Sequence, residues 1–360
     1  MIGRRQVLGA VAGAVAMVAA RDLASAQAPM KVAFVYVGPI GDHGWSFQHH
    51  QGLLALKKEF GDKIATTYVE NVPEGPDAER VIDQLASQGN NIIFTTSFGF
   101  MNPTIKVAAK YPAIKFEHIS GFKQAENVAT ANIRYYEGRY VAGILAAKAS
   151  KSGTIGYIGS FPIPEVVMGM NAAYLGAKTV NPNIKMKIIW VSTWFDPGKE
   201  SDAAKALADQ GADIIMQHTD SPAPVKFAEE RKIFAIGQAS DMKAFAPNAI
   251  LTSIVNNWNG YYIGRVKAAM DGSWKSGDVW GGFSTGMLQL SDFGPGVTAE
   301  AKALADAAKD KIAKGELHPF TGPLKKQDGS EFLKAGDKIA DKDLSGMNFY
   351  VEGVEGVLPK

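Results

Sequence analysis

The chain has 360 residues, 46% of them apolar and 21% charged, with a formal net charge of +2. That length suits about two domains with a core each, and so balanced a charge lacks the clustered basic face of a nucleic-acid binder, so no nucleic-acid partner is expected. The absence of cysteine excludes disulfide staples, thiolate metal sites and cysteine nucleophiles.

The first 26 residues have the layout of a bacterial export signal. Arg4 and Arg5 precede a small and apolar run from Val7 to Ala20, and Ala24-Ser25-Ala26 supplies the small residues of a cut site. The run is shorter than the roughly 20 residues of a membrane span. Cleavage after Ala26 is expected, giving a periplasmic protein that starts at Gln27. The paired arginines suggest the twin-arginine route.

From Lys31 the chain alternates β-rich runs with helical patterns. Strands are expected over 31–37, 65–69, 91–96 and 114–119, with helices over 47–60 and 76–87. The rhythm then restarts. Helices are expected over 136–150, 166–180, 199–210 and 223–231, and strands over 154–158, 185–191, 213–217, 233–237 and 250–254. A helix at 261–270, a strand at 280–283 and a helix at 299–313 lead into a turn-rich tail with Gly322-Pro323 and Asp328-Gly329. Such alternation means parallel sheets covered on both faces, and two successive units mean two lobes across a cleft.

Open α/β sheets bind ligands outside the carboxyl ends of their strands. Those ends carry Gly38 to Phe47 (with Asp42 and Trp45), Ser97-Phe98, the loop from Gly159 to Glu165, Trp194 before Asp196-Pro197, and Gln238 to Asp241. Aromatics beside single carboxylates and amides suit a flat, weakly charged heterocycle. Each also has a plainer reading: aromatics as core plugs, and Asp42, Asp196 and Asp241 as helix caps. The glycines of 38–44 lack the lysine and spacing of a phosphate loop. His43, His49, His50, His118 and His218 lack metal-site spacing and are expected to face solvent. Glu117 and His118 face opposite sides of a strand, and no strand-to-helix turn carries a Gly-x-Ser-x-Gly nucleophile. No enzyme chemistry, metal or cofactor is expected.

The order of segments over 31–355 resembles the basic membrane protein family of ABC-transporter substrate-binding proteins, which includes purine nucleoside receptors. The resemblance is carried by Gly41-Asp42 to Phe47, Tyr136-Glu137-Gly138 with Tyr140-Val141-Ala142-Gly143, Ile155 to Gly159 and Asn181-Pro182. It continues through Asp196-Pro197-Gly198-Lys199-Glu200, Gly211 to Ile215, Ile236-Gly237 and Leu251-Thr252-Ser253. It implies a type I periplasmic-binding fold, with two Rossmann-like lobes of parallel sheet joined by three crossovers. Lobe 1 would be 27–122 plus 257–283, and lobe 2 123–256 plus 284–360. It also implies two aromatics sandwiching a purine, here Trp45 or Phe47 and Trp194, with Asp42 near the ring. Nucleoside binders place a ribose-holding lysine where this chain has Asn256, and two acids where it has Ala239 and then Asp241. A ribose without those partners is poorly held, so the resemblance points to a free base such as adenine or hypoxanthine, with Trp194 and Trp258 filling the sugar's space. The expected protein is a monomer that delivers this ligand to an ABC permease in the inner membrane. A nucleoside receptor, a secreted nucleoside-processing enzyme and a ligand sensor for a membrane kinase are the alternatives.

Overall fold

The computed structural model describes residues 28–359; the export signal read over 1–26 lies outside them. The first lobe is built from β1 (Met30–Tyr36), α1 (Trp45–Phe60), β2 (Ile64–Val69), α2 (Pro76–Ser87), β3 (Ile92–Thr96), α3 (Met101–Ala108), β4 (Lys115–Ile119) and β5 (Val128–Ile133). The chain then crosses over to make α4 (Tyr135–Ala149), β6 (Thr154–Gly159), α5 (Pro164–Lys178), β7 (Lys185–Trp190) and α6 (Pro197–Asp209). The second lobe continues with β8 (Ile214–His218), α7 (Ala223–Arg231), β9 (Phe234–Ala239) and β10 (Ile250–Asn256). A return to the first lobe adds α8 (Asn259–Asp271) and β11 (Asp278–Gly281), and a last passage adds β12 (Leu288–Leu290) and α9 (Ala299–Ala313) to the second.

Two six-stranded sheets result, ordered β11-β5-β4-β3-β1-β2 and β12-β10-β9-β8-β6-β7. The first is parallel throughout, and in the second only β12 runs antiparallel, against β10. The two-residue period of a strand places helices on both faces of each sheet. In β1, Val32, Phe34 and Tyr36 pack with Leu53 and Leu56 of α1, while Ala33 and Val35 pack with Val81 and Ile82 of α2. In β6, Ile155 and Tyr157 join the core under α4 and α5, and Ile158 joins Leu207 of α6.

The first sheet runs further along the chain than the expected boundary. Residues 123–133, read as part of the second lobe, supply β5, which pairs with β4 on one side and β11 on the other. The run Val-Ala-Thr-Ala-Asn-Ile has little large apolar surface to mark it as a strand. Helix α3 also escaped the sequence reading.

Helices α4 and α5 touch backbone to backbone. A Cβ on Gly143 would lie 2.0 Å from the Ala173 carbonyl oxygen, and one on Gly176 would lie 2.0 Å from that of Tyr140. Helix propensity alone favours alanine over glycine by about 1 kcal/mol. At this contact the overpacking cost of about 1–3 kcal/mol outweighs that gain. Gly143→Ala is therefore expected to lower the Tm, measured by calorimetry or circular dichroism; a raised Tm would show that the helices separate freely.

Candidate functional site: the interlobe cleft

The loops at the carboxyl ends of both sheets meet. A Cβ on Gly44, in the loop after β1, would lie 2.4 Å from the backbone oxygen of Asp220, in the loop after β8. Only a glycine lets these two loops come so close. Three further contacts cross the cleft. Ser120 Oγ donates to Glu165 Oε2 at 3.2 Å, Trp194 Nε1 donates to Glu74 Oε1 at 3.3 Å, and Ser240 Oγ donates to the His43 carbonyl. Backbone strain gathers here as well. His43, Asn71, Ser120, Ser192 and Ala239, none of them glycine, take φ of 60°, 55°, 69°, 52° and 65° at or beyond strand carboxyl ends, a pattern typical of binding sites.

Between the lobes lies a narrow cavity of about 20 Å³, lined by Val37, Trp45, Ser97, Phe98 and Ser120 from the first lobe and by Ile163, Glu165, Trp194, His218, Asp220 and Gln238 from the second. A chamber of about 280 Å³ adjoins it, sharing Phe98, Ser120 and Glu165 and bounded by Phe122, Met168 and Trp280.

Trp45, Ser97, Phe98, Glu165 and Trp194 thus stand together. Trp45 opens α1, its Nε1 donates to the Thr96 carbonyl at 2.7 Å, and its ring meets His49 edge-on. Trp194 packs against Phe161, with ring centroids 5.2 Å apart. Ser97 donates its hydroxyl to Glu74 Oε1 at 2.5 Å. That same oxygen accepts the Gly99 amide at 3.0 Å, so Glu74 ties the β3 loop to Trp194.

The other expected residues are elsewhere. Asp42 is buried behind Trp45, where its carboxylate accepts the amides of Gly44, Ser46 and Phe47 at 2.8–2.9 Å. Its oxygens are spent on holding the start of α1. Phe47 points away from the cavity and packs on His43. Asp241 is exposed and accepts the Lys243 amide at 3.0 Å. Asn256 ends β10 fully buried, and among the described residues neither its side-chain Nδ2 nor its Oδ1 has a partner. Trp258 is buried against His49 and Tyr262 as a floor beneath Trp45. Asp196 caps α6, accepting the Lys199 amide at 3.0 Å.

The histidines expected to face solvent do not all do so: His49, His118 and His218 are buried. His49 Nδ1 bonds the Tyr262 hydroxyl and His118 Nδ1 bonds the Thr95 hydroxyl, replacing part of the lost water. His218 and Asp220 line the cavity although the sequence reading passed over their loop. The signal was available, since His218-Thr219-Asp220-Ser221 follows the strand read over 213–217.

Closure also gathers acid. Burial pushes the Asp220 carboxyl well above the carboxylate range, and the charges of Asp42 and Glu200 push it further. Burial pushes Asp42 up to about 6 against the amides that hold it down, and Glu200 up to about 7. His218 is held below its usual value by burial, although Glu165 lies 3.5 Å away.

Two parallel-sheet lobes with three crossovers, and a cleft lined from both, define a periplasmic-binding-protein fold that encloses a small solute. The family described as "ABC transporter substrate-binding protein PnrA-like" matches residues 30–318, and the chain belongs to it. It is 56% identical over 337 residues to a purine-binding protein of Brucella abortus, covering 94% of this chain and 96% of that one. It is 38% identical to a putative ABC transporter glucose-binding protein of Haloferax volcanii, covering 92% and 81%. Among solved structures, an ABC transporter solute-binding protein from Aeropyrum pernix superposes with a TM-score of 0.69 at 21% identity, covering 83% of this chain and 93% of that one. That last likeness shows the fold. The chain is therefore a substrate-binding protein for an ABC transporter, with a small-molecule ligand and a permease partner, and not an enzyme.

A carboxyl raised on folding holds its proton more tightly than in the unfolded chain. Its stabilising effect is full below about pH 4 and is lost as the pH rises through its folded value. The buried histidines act in the opposite sense, withdrawing stability as the pH falls below about 6.5. Asp220→Asn isolates the acid. The Tm difference, variant minus wild type, should be smallest near pH 4 and grow more positive toward pH 8. A difference constant with pH would contradict a buried, proton-holding Asp220.

Proposed function

We propose that this protein is an exported receptor that closes over a free purine base, adenine or hypoxanthine, and delivers it to an ABC permease. The observation that carries the reading is that Trp45 of the first lobe and Trp194 of the second line one cavity, together with apolar Val37, Phe98 and Ile163 and a few polar side chains. Indoles stack on a heterocycle without regard to charge, and the amide of Gln238 with the carboxyls of Asp220 and Glu165 can read its edge. The 56% identity to a purine-binding protein supports the same ligand class. Asn256 and Ala239, in place of a cation and an acid, support a base without its sugar. One observation favours a nucleoside instead: the adjoining chamber has room for a second ring.

Calorimetry on refolded, ligand-free protein decides between them. Adenine or hypoxanthine should bind at least as tightly as adenosine or inosine, and glucose should not bind. Tighter binding of the nucleosides would replace the free-base reading. Trp194→Ala should weaken purine binding by about 1–3 kcal/mol, the range for losing a base-aromatic stack, while leaving the Tm nearly unchanged. A lowered Tm with intact affinity would make Trp194 a core plug.

A further inference from the structure

Gln238, near the end of β9, lines the cavity and is 2% exposed. Its neighbour decides which end of its amide meets the ligand. Arg139, on α4, is completely buried, with its guanidinium carbon 5.3 Å from the centre of the Tyr157 ring. Its Nη2 donates to Gln238 Oε1. An amide's nitrogen and oxygen are ordinarily hard to tell apart, but a guanidinium carries five donors and no acceptor. The amide atom that meets Arg139 must therefore be the oxygen. Among the described residues nothing accepts from Gln238 Nε2.

Stability does not account for Arg139. Among the described residues its Nε and Nη1 are buried without partners, and burying a charge so poorly satisfied is costly, where an apolar side chain of the same volume is often tolerated or better. Holding the Gln238 amide accounts for it.

We propose that Arg139 is a positioning residue that fixes the Gln238 amide with its NH2 group toward the cleft, so that the site selects heterocycles presenting a hydrogen-bond acceptor there. The acceptor is a ring nitrogen or carbonyl oxygen. This inference rests on the purine reading. A ligand that offers no acceptor at that point leaves a buried donor unmade, which lowers affinity about ten- to hundredfold.

The test is calorimetry with adenine and its 1-, 3- and 7-deaza analogues, each lacking one ring acceptor. In the wild type, one analogue should bind about ten- to hundredfold more weakly than adenine. In Arg139→Met, which frees the amide to turn, that ratio should fall toward one. In Arg139→Lys, still a pure donor, it should persist. An unchanged ratio in Arg139→Met, or a wild type that tolerates all three analogues, overturns the proposal. Should Arg139→Met not fold, Gln238→Glu answers: its carboxylate can pair with Arg139 but offers only acceptors, so adenine must bind at least about tenfold more weakly. Full affinity in that variant overturns the proposal. If the wild type binds no purine, the purine reading fails by itself, and the Arg139 contact is then read from the side-chain amide NMR signals of Gln238. Those signals, assigned by their loss in Gln238→Glu, must shift in Arg139→Met; their staying in place overturns the proposal.

Discussion

Closing the two lobes takes the polar ends of parallel strands out of water, and a buried polar group without a partner costs about 1–3 kcal/mol. Much of the cleft answers to that cost. Asp42 meets it with three backbone amides, while the exposed Glu74 clasps the rim with a hydroxyl, an amide and an indole N–H. The groups left over are informative. Among the described residues His218 Nδ1 and the Asn256 side chain make no protein hydrogen bond that meets normal geometry, and the charge of Asp42 acts on buried Asp220, whose backbone meets Gly44. A ligand can favour the closed form only by binding it more tightly than the open one. A solute that stacks between the indoles and reads the polar edge does so, because its contacts come from both lobes at once.

For that closure to work, each lobe must move as one body about the crossovers. The elements that flank the crossovers are firmly anchored. Arg134, just before α4, donates through Nε to the Trp280 carbonyl at 3.0 Å and makes a two-pronged pair with Asp341 at 2.7 and 2.6 Å. In the first lobe the buried Glu117 gathers Tyr261, Arg265 and Trp274 at 2.5–2.6 Å, anchoring α8 to β4. In the second, the glycine contact between α4 and α5 removes any slack under β6.

Much of this was legible in the sequence. Strands rich in β-branched and apolar residues, such as Ile92–Thr96 and Ile250–Asn256, announced themselves, and so did the Asp196-capped helix Pro197–Asp209. Weakly apolar β5 did not, because its place in the sheet comes from its neighbours and not from its own side chains. At the cleft, position just after a strand end is shared by Trp45, Phe98, Glu165 and Trp194, which line one cavity. It could not say which way a side chain turns. Asp42 and Asp241 carry the residue type of a ligand contact and the geometry of a cap, a distinction that depends on where backbone amides point. Glu74 and Asp220 come from loops that look ordinary in sequence and matter through contacts across the cleft. The Arg139–Gln238 pair, 99 residues apart, leaves no trace in local pattern.

The most direct test of the account is a crystal structure of the protein grown with adenine. The ring should lie between the indoles of Trp45 and Trp194, with the Gln238 side chain on its edge and both lobes in contact with it. Density for the ligand in the chamber beside Phe122 and Trp280, or on one lobe alone, would contradict the account.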